Sequence, residues 1–439
     1  MAQFRIDSHQ YLQQEKTLFE VVMLADQYGN QVGPANPTGT AVDAFGRARM
    51  SLPLTLFDSS HRYADNSLWA TSNSASGNST FAFDPNAGLI NLNITTANGA
   101  NVIRETTKVF SYQPGKSLLT LNTFVMEPAK DNLTQRIGYF GANNGIYFEQ
   151  AGNTISFVER SISTGNVVET RVNQTDWNKD NLLGNTAGSP SQKTLDLSKA
   201  QILWSDIEWL GLGTVRCGFV IDGQLIHCHS FNHANYITST YMQTASLPMR
   251  YEIFNTGTTS SNSTLKQVCS SVISEGGYEL RGSQLSVGTP VEFAKDLGGT
   301  PGVDIPIVSL RLKQDRLDGI VILTALSILC VGNNARAKWK VIANPTLANT
   351  TWTSAGTNSC VEYDLTANTA TAGRVLASGF VTSSTQSAVV ADVLKEALFK
   401  FQLERNGLTN TPYPITITMA TAAANDDGLV TIDWEEISR

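Results

Sequence analysis

Short runs of alternating apolar and polar residues, each closed by a turn-forming dipeptide, constrain this chain more than any other feature. In Leu89–Ile94, Ile90, Leu92 and Ile94 alternate with Leu89, Asn91 and Asn93, the pattern of a strand with one dry and one wet face. Similar runs lie within 47–63, 81–97, 102–112 and 117–127, and again over 136–140, 145–149, 154–159 and 167–172. Asn-Gly, Pro-Gly and Asp-Pro turns separate them at intervals of about ten residues. Helices between parallel strands need more room, so the spacing predicts an all-β sandwich or barrel and argues against βαβ units. The pattern continues through 202–210, 215–221, 224–231, 249–254 and 265–272, with Asp222-Gly223 as the strongest hairpin signal. Gly211 and Gly213 mark a tight corner or a bulge.

Composition supports this reading. Only 16% of the 439 residues are charged, and the polar remainder is dominated by Ser, Thr, Asn, Gln and Gly. Such a chain suits Thr-rich solvent faces and Gly/Asn-rich turns, and lacks the high charge of a disordered one. The net charge is −7 and no Lys/Arg block occurs, so the sequence predicts no nucleic-acid partner. The start has no basic region followed by an apolar one, so no secretory signal is read there. No apolar run reaches spanning length, the nearest being 319–332, so membrane insertion is not expected. Five cysteines without a CxxC pair imply reduced thiols in a protein made in the cytoplasm. The six Asn-x-Ser/Thr triplets, at Asn78, Asn93, Asn132, Asn173, Asn262 and Asn349, imply no glycan in that context.

Residues 1–46 are predicted to be an N-terminal arm, with an apolar segment at 18–24 followed by a Gly/Pro/Asn-rich run. Residues 47–286 form a first β domain. A stretch with four glycines and two prolines makes 287–304 a linker, and 305–439 a second β domain. One α-helix is expected at 388–405, where Val390, Leu394, Ala397, Leu398 and Phe401 recur at helical steps and Gly407 closes the end.

Three constellations could carry chemistry. His227, His229 and His233 form H-x-H-x3-H; on a strand the first two share a face and the third could converge on them. The spacing resembles part of the first cupin motif, but His233 stands where a glutamate is usual and no histidine follows it. Asp206 and Glu208 alternate on one face beside Trp209, and paired carboxylates are what glycoside hydrolysis requires. Asp58, Ser59 and His61 are neighbours in a presumed turn, whereas triads are assembled in space. Walker, G-x-S-x-G and H-E-x-x-H motifs are absent from the sequence. No catalytic, cofactor-binding or metal site is assigned on these grounds, and the chain is read as non-enzymatic. Trp177, in a polar loop, is expected to be the most exposed tryptophan and the first candidate for stacking on a sugar.

The runs RARMSLPLTLFDSSHRYADNSLWATS (47–72), VIRETTKVFSYQPGKSLLTLNTFVM (102–126), IEWLGLGTVRCGFVIDGQLIHCHSFNHAN (207–235) and LPMRYEI (247–253) resemble virion structural proteins of tailed bacteriophages, particularly of marine and cyanobacterial phages. The resemblance implies a fibre, head-decoration or tail/baseplate-associated protein located in the virion. It further implies that the first domain is a lectin-like jelly-roll sandwich. Homo-oligomerisation follows as an expectation, a trimer favoured, with other virion proteins as partners. The alternative is a module of the same particle that binds a host receptor or surface glycan. The family brings no catalytic residues to carry over.

Overall fold

A computed structural model describes residues 10–14, 17–21 and 52–439, apart from 75–76, 185–186, 384–400 and 439. Most of the expected N-terminal arm therefore lies outside the described residues. Within it, Gln10–Gln14 and Thr17–Val21 pair as an antiparallel hairpin belonging to the unit Met1–Leu52. Pro53–Arg439 form the second compact unit.

That second unit begins with two large antiparallel sheets stacked face to face. One runs, in spatial order, Val168–Asn173, Thr154–Ser161, Gly145–Ala151, Leu133–Phe140, Met249–Asn255, Asn101–Thr106 and Trp69–Asn73. The other runs Gln224–Phe231, Val215–Ile221, Gln201–Ile207, Ser117–Val125, Ser263–Glu275, Leu89–Ile94 and Ser79–Asp84, with Pro53–Ser60 also paired to Ser263–Glu275. Strands distant in sequence are neighbours in both sheets, as in a jelly roll. The alternation read from the sequence sets the faces: Ile90, Leu92 and Ile94 are buried, whereas Asn91 and Asn93 are half-buried on the other side. Ile137, Tyr139, Phe148, Phe157 and Tyr251 meet Phe124, Leu203, Ile207, Phe219 and Val272 in one continuous core. The fold is the lectin-like β-sandwich that the sequence implied.

Asp222 and Gly223 both have positive φ, 51° and 76°. That is the type I′ geometry of a two-residue hairpin, whose twist matches the strands it joins.

The expected linker is built into the second part of the unit. Ser283–Gly288 and Lys295–Asp296 both pair with the long strand Asp427–Ser438, which also pairs with Ile320–Val331. Val287 and Leu297 reach the second core, and the strand residues of the Gly/Pro-rich stretch are separated by non-strand segments at 289–294 and 297–304. Opposite lies a six-stranded antiparallel sheet containing Ile305–Leu312, Ile415–Thr421 and Arg336–Ala343. Residues 388–400 of the expected helix lie outside the described residues. Its last residues are extended instead: Gln402 bridges to Ile322 and Glu404–Asn406 is a strand. Tertiary pairing overrides the helical spacing there, because Phe401 and Leu403 fill the second core while Gln402, Glu404 and Arg405 reach the sandwich.

Ile320 and Ile322 enter the sandwich core, and a set of ion pairs, buried at Glu105 and Arg405, lies where the two parts meet. Arg405 donates to Glu105 Oε1 at 2.6 Å, Arg250 to Glu105 Oε2 at 3.0 Å, and Arg374 to Glu404 at 2.8 Å. Among the described residues, no helix is long and apolar enough to cross a membrane.

Candidate functional site

The strands Gln201–Ile207 and Val215–Ile221 are joined by a tight loop around Trp209–Gly213. Leu203, Ile207, Val215 and Phe219 point into the core, so Trp204, Asp206 and Arg216 project from the outer face of the sheet. The loop is closed by Leu212 and Gly213 N–H groups donating to the Trp209 carbonyl. A Cβ on Gly213 would lie 2.2 Å from the Glu208 carbonyl oxygen, so only glycine permits this closure. The Trp209 indole donates to Met242 O at 3.2 Å and the Tyr241 N–H to Gly211 O at 3.0 Å, bracing the loop from outside.

The outcome is a cleft of about 470 Å³ lined by Lys116, Ser117, Asp206, Glu208, Thr214 and Arg216, among others. Pockets that enclose small ligands span roughly 300–1,000 Å³. Asp206 faces Arg216 directly across the ladder and Arg216 donates to Asp206 Oδ2. The Asp206 side chain is 7% exposed and that of Arg216 55%. Asp206 Oδ1 is buried with no hydrogen-bond partner, as is Trp204 Nε1 on the same strand face. A buried carboxylate oxygen without a donor is costly, which marks Asp206 as a group with unused hydrogen-bonding capacity beside a cleft. The Trp204 indole lies over Gly218, where a Cβ would meet its ring at 2.8 Å. Glu208 is exposed at the rim, and the Thr214 N–H approaches its Oε2 at 3.4 Å.

Of the residues singled out by sequence, Asp206 and Glu208 are the pair that the structure brings to one cavity. Lys116, Ser117 and Arg216 were missed. Arg216 was readable in principle: an outward charge flanked by the core residues Val215 and Cys217, equidistant with Asp206 from the loop between them.

The histidines do not converge. A β-bulge between Cys217 and Gly218 sets His229 opposite Cys217 and His227 opposite Gly218. The inserted residue removes the period-two alternation that would have put both rings on one face. His227 Nε2 bonds Ser230 Oγ at 2.9 Å, and burial lowers its pKa. His229 Nδ1 accepts from the Asn178 N–H at 3.3 Å, and burial, then His227, brings its pKa down to about 4. His233 lies between Gly213 O at 2.5 Å and Glu159 Oε2 at 2.7 Å, stacked on Tyr241 at 3.9 Å. Burial opposes its protonation, but the Glu159 carboxylate outweighs that and raises its pKa. Among the described residues, no group of three or more His, Cys, Asp or Glu could hold a metal ion.

Asp58 and Ser59 belong to the strand Pro53–Ser60 rather than to a turn. Asp58 is exposed, whereas Ser59 is buried and accepts from the Trp69 indole at 2.8 Å, so no triad forms. Trp177 is not the exposed platform expected from its polar surroundings. It is 5% exposed, with its ring 4.5 Å from Phe157, and its Nε1 donates to Val172 O at 3.2 Å. The loop folds inward because that indole completes the aromatic cluster of Phe148, Phe157 and Phe219. No disulfide joins any of the five cysteines, all of which lie among the described residues.

No protein-family model matches the chain, and no curated protein does. Solved structures do. A Bacillus licheniformis β-glucanase is 13% identical over 51% of this chain and 98% of its own, with a TM-score of 0.33. A carbohydrate esterase from the Shiga toxin-encoding bacteriophage phi24B is 12% identical over 51% of this chain and all 100% of its own, with a TM-score of 0.30. Arcelin-5, a lectin-like defence protein of Phaseolus vulgaris, is 10% identical over 51% of this chain and 99% of its own, with a TM-score of 0.29. These likenesses extend over about half of this chain, and the proteins so matched include lectin-like and carbohydrate-cleaving ones. The expectation of a non-enzymatic chain is therefore corrected. It rested on the lack of a catalytic signature in the sequence, yet enzymes such as the β-glucanase stand among the structures of this architecture.

Proposed function

We propose that this chain is a glycan-binding component of a tailed-phage particle, and that the cleft around Asp206 is where the saccharide binds. The observation that carries the reading is the cleft itself, with an orphaned Asp206 oxygen beside the exposed Arg216 guanidinium. Sugar hydroxyls both donate and accept. A carboxylate oxygen lacking a donor accepts a hydrogen bond from a hydroxyl, and a guanidinium or ammonium beside it donates one to the neighbouring hydroxyl oxygen. Arg216 with Asp206 supplies one such pair, and Lys116 and Glu208 add a second cation and a second carboxylate to the lining of the same cavity. The four sequence runs that resemble tailed-phage virion proteins support the particle, as a fibre, decoration or tail-associated protein assembling as a homo-oligomer.

Two measurements test the reading. The purified full chain applied to an array of immobilised glycans is expected to bind a defined subset, and to compete with particles for adsorption to host cells. No binding anywhere on the array together with no competition would overturn the glycan role. Proteomics of purified particles is expected to contain this chain, and its absence would overturn the virion role.

A further inference from the structure

Three of the six Asn-x-Ser/Thr triplets, scattered in sequence at Asn78, Asn93 and Asn262, come together on adjacent strands. Thr80 pairs with Asn93, and Asn93 with Thr264, forming a row across three strands. With Asn78, Thr95 and Asn262 these side chains line a second cleft of about 280 Å³, and none of its lining residues is charged. Thr264 Oγ1 donates to Asn93 Oδ1 at 2.8 Å, which fixes the amide and turns its NH₂ toward Thr80 Oγ1 at 3.5 Å, the limit of a hydrogen bond. Amides and hydroxyls held in a row offer donors and acceptors without charge, the chemistry that suits a neutral sugar.

The two clefts share one face of one sheet. Asp206 pairs with Leu119 and Lys266 with Val125, both on the strand Ser117–Val125. Leu119 and Val125 are separated by an even number of residues, as are Lys266 and Thr264, so all of these side chains project to the same side. Leu119, Leu121 and Thr123 lie half-buried between the clefts. At about 3.3 Å per residue and about 4.8 Å per strand, the clefts are roughly 25–30 Å apart.

We infer that the Asn/Thr cleft is a second saccharide subsite, and that the ligand is a neutral polysaccharide laid diagonally across the sheet from Asp206 to Asn93. The inference rests on the glycan reading of the first cleft. A ligand that fills both subsites binds more tightly than one that fills either, because the second contact is intramolecular. The ionic cleft alone accepts a short saccharide.

The test uses the full chain with laminarin, xyloglucan, galactomannan and dextran as polymer probes, and with the di- and trisaccharides cut from each. At least one polymer is expected to bind about tenfold or more tightly, per binding site occupied, than its own trisaccharide. The N93A/T264V variant is expected to lose that advantage while keeping the trisaccharide affinity. T80A, which leaves the Asn93–Thr264 bond in place, is expected to lose part of it, and unchanged thermal melting of both variants separates the effect from misfolding. Polymer and trisaccharide of equal affinity, no retention of any of the four polymers, or an advantage that persists in N93A/T264V would each overturn the inference. Short or charged glycans that still bind on the array would then leave the first cleft standing, whereas an array without any binding removes both.

Discussion

Acidification from neutrality to about pH 4.5 destabilises this fold mainly through His61 and His229, with His227, also lowered by burial, acting in the same direction. His61 is fully buried, and burial, then the Arg104 guanidinium, lowers its pKa from 6.5 to about 4. His229 is lowered to about 4, by burial and then His227. A group whose folded pKa is depressed below its unfolded value binds protons more readily in the unfolded chain. For these imidazoles the penalty grows as the pH falls from 6.5 toward 4. At about 1.4 kcal/mol per pH unit, each contributes a loss of roughly 3 kcal/mol by the bottom of that window, and the two together about 6 kcal/mol. Against a typical total of about 5–15 kcal/mol, that is enough to unfold a marginal protein. Glu169 acts later: despite its burial, bonds from Tyr147, Arg160 and Arg171 hold its pKa near 2, so its contribution is lost only as the pH falls below 4.5. His233 has the opposite sign, because its folded pKa is raised: its contribution is complete below 6.5 and disappears as the pH rises through the folded value. Urea midpoints measured at half-unit steps from about pH 7 to pH 4 give the curve. The expected result is a steep fall through this range that is largely flattened in the His61→Gln/His229→Gln protein. A midpoint that stays level down to about pH 4.5, or an equal fall in the double variant, would refute the reasoning.

Other consequences are independent of pH. Trp177→Ala removes the indole from the cluster of Phe148, Phe157 and Phe219 and is expected to cost about 3–5 kcal/mol in chemical denaturation. Unchanged stability with weakened glycan binding would restore the exposed role expected from sequence. Arg405→Ala leaves Glu105 with Arg250 alone at a buried seam and is expected to cost about 3–5 kcal/mol, read as a lowered thermal midpoint. Gly218→Ala places a methyl against Ile226 O and the Trp204 ring, and is expected to change tryptophan fluorescence and distort the sheet next to Asp206.

The sandwich was legible because its strands alternate cleanly and its turns use residues whose backbone demands are specific. The strand Leu89–Ile94 and the Asp222-Gly223 turn are where pattern and conformation agree most closely. Features that depend on a partner strand were not legible. The bulge at Cys217/Gly218 follows from packing between strands, so H-x-H on paper becomes two separate rings in the fold. Trp177 sits among polar residues in sequence, but the space beside Phe157 exists only once both sheets are stacked. The Gly/Pro-rich stretch 287–304 looked free because its partner, Asp427–Ser438, lies at the other end of the chain. The candidate site was half legible: Asp206 and Glu208 stood out as a pair, while Arg216 and Lys116 reach the same cleft through strand register and a turn.

The most direct test of glycan binding in the Asp206 cleft is the dissociation constant of wild-type and Asp206→Ala protein for the saccharide with the strongest array signal. Arg216 is exposed enough to return to water when its partner is removed, so the variant isolates the lost sugar contact. A hydrogen bond to a charged group contributes about 1.5–3 kcal/mol, so binding is expected to weaken by about 10- to 150-fold with the thermal midpoint little changed. Equal constants for the two proteins would contradict the account.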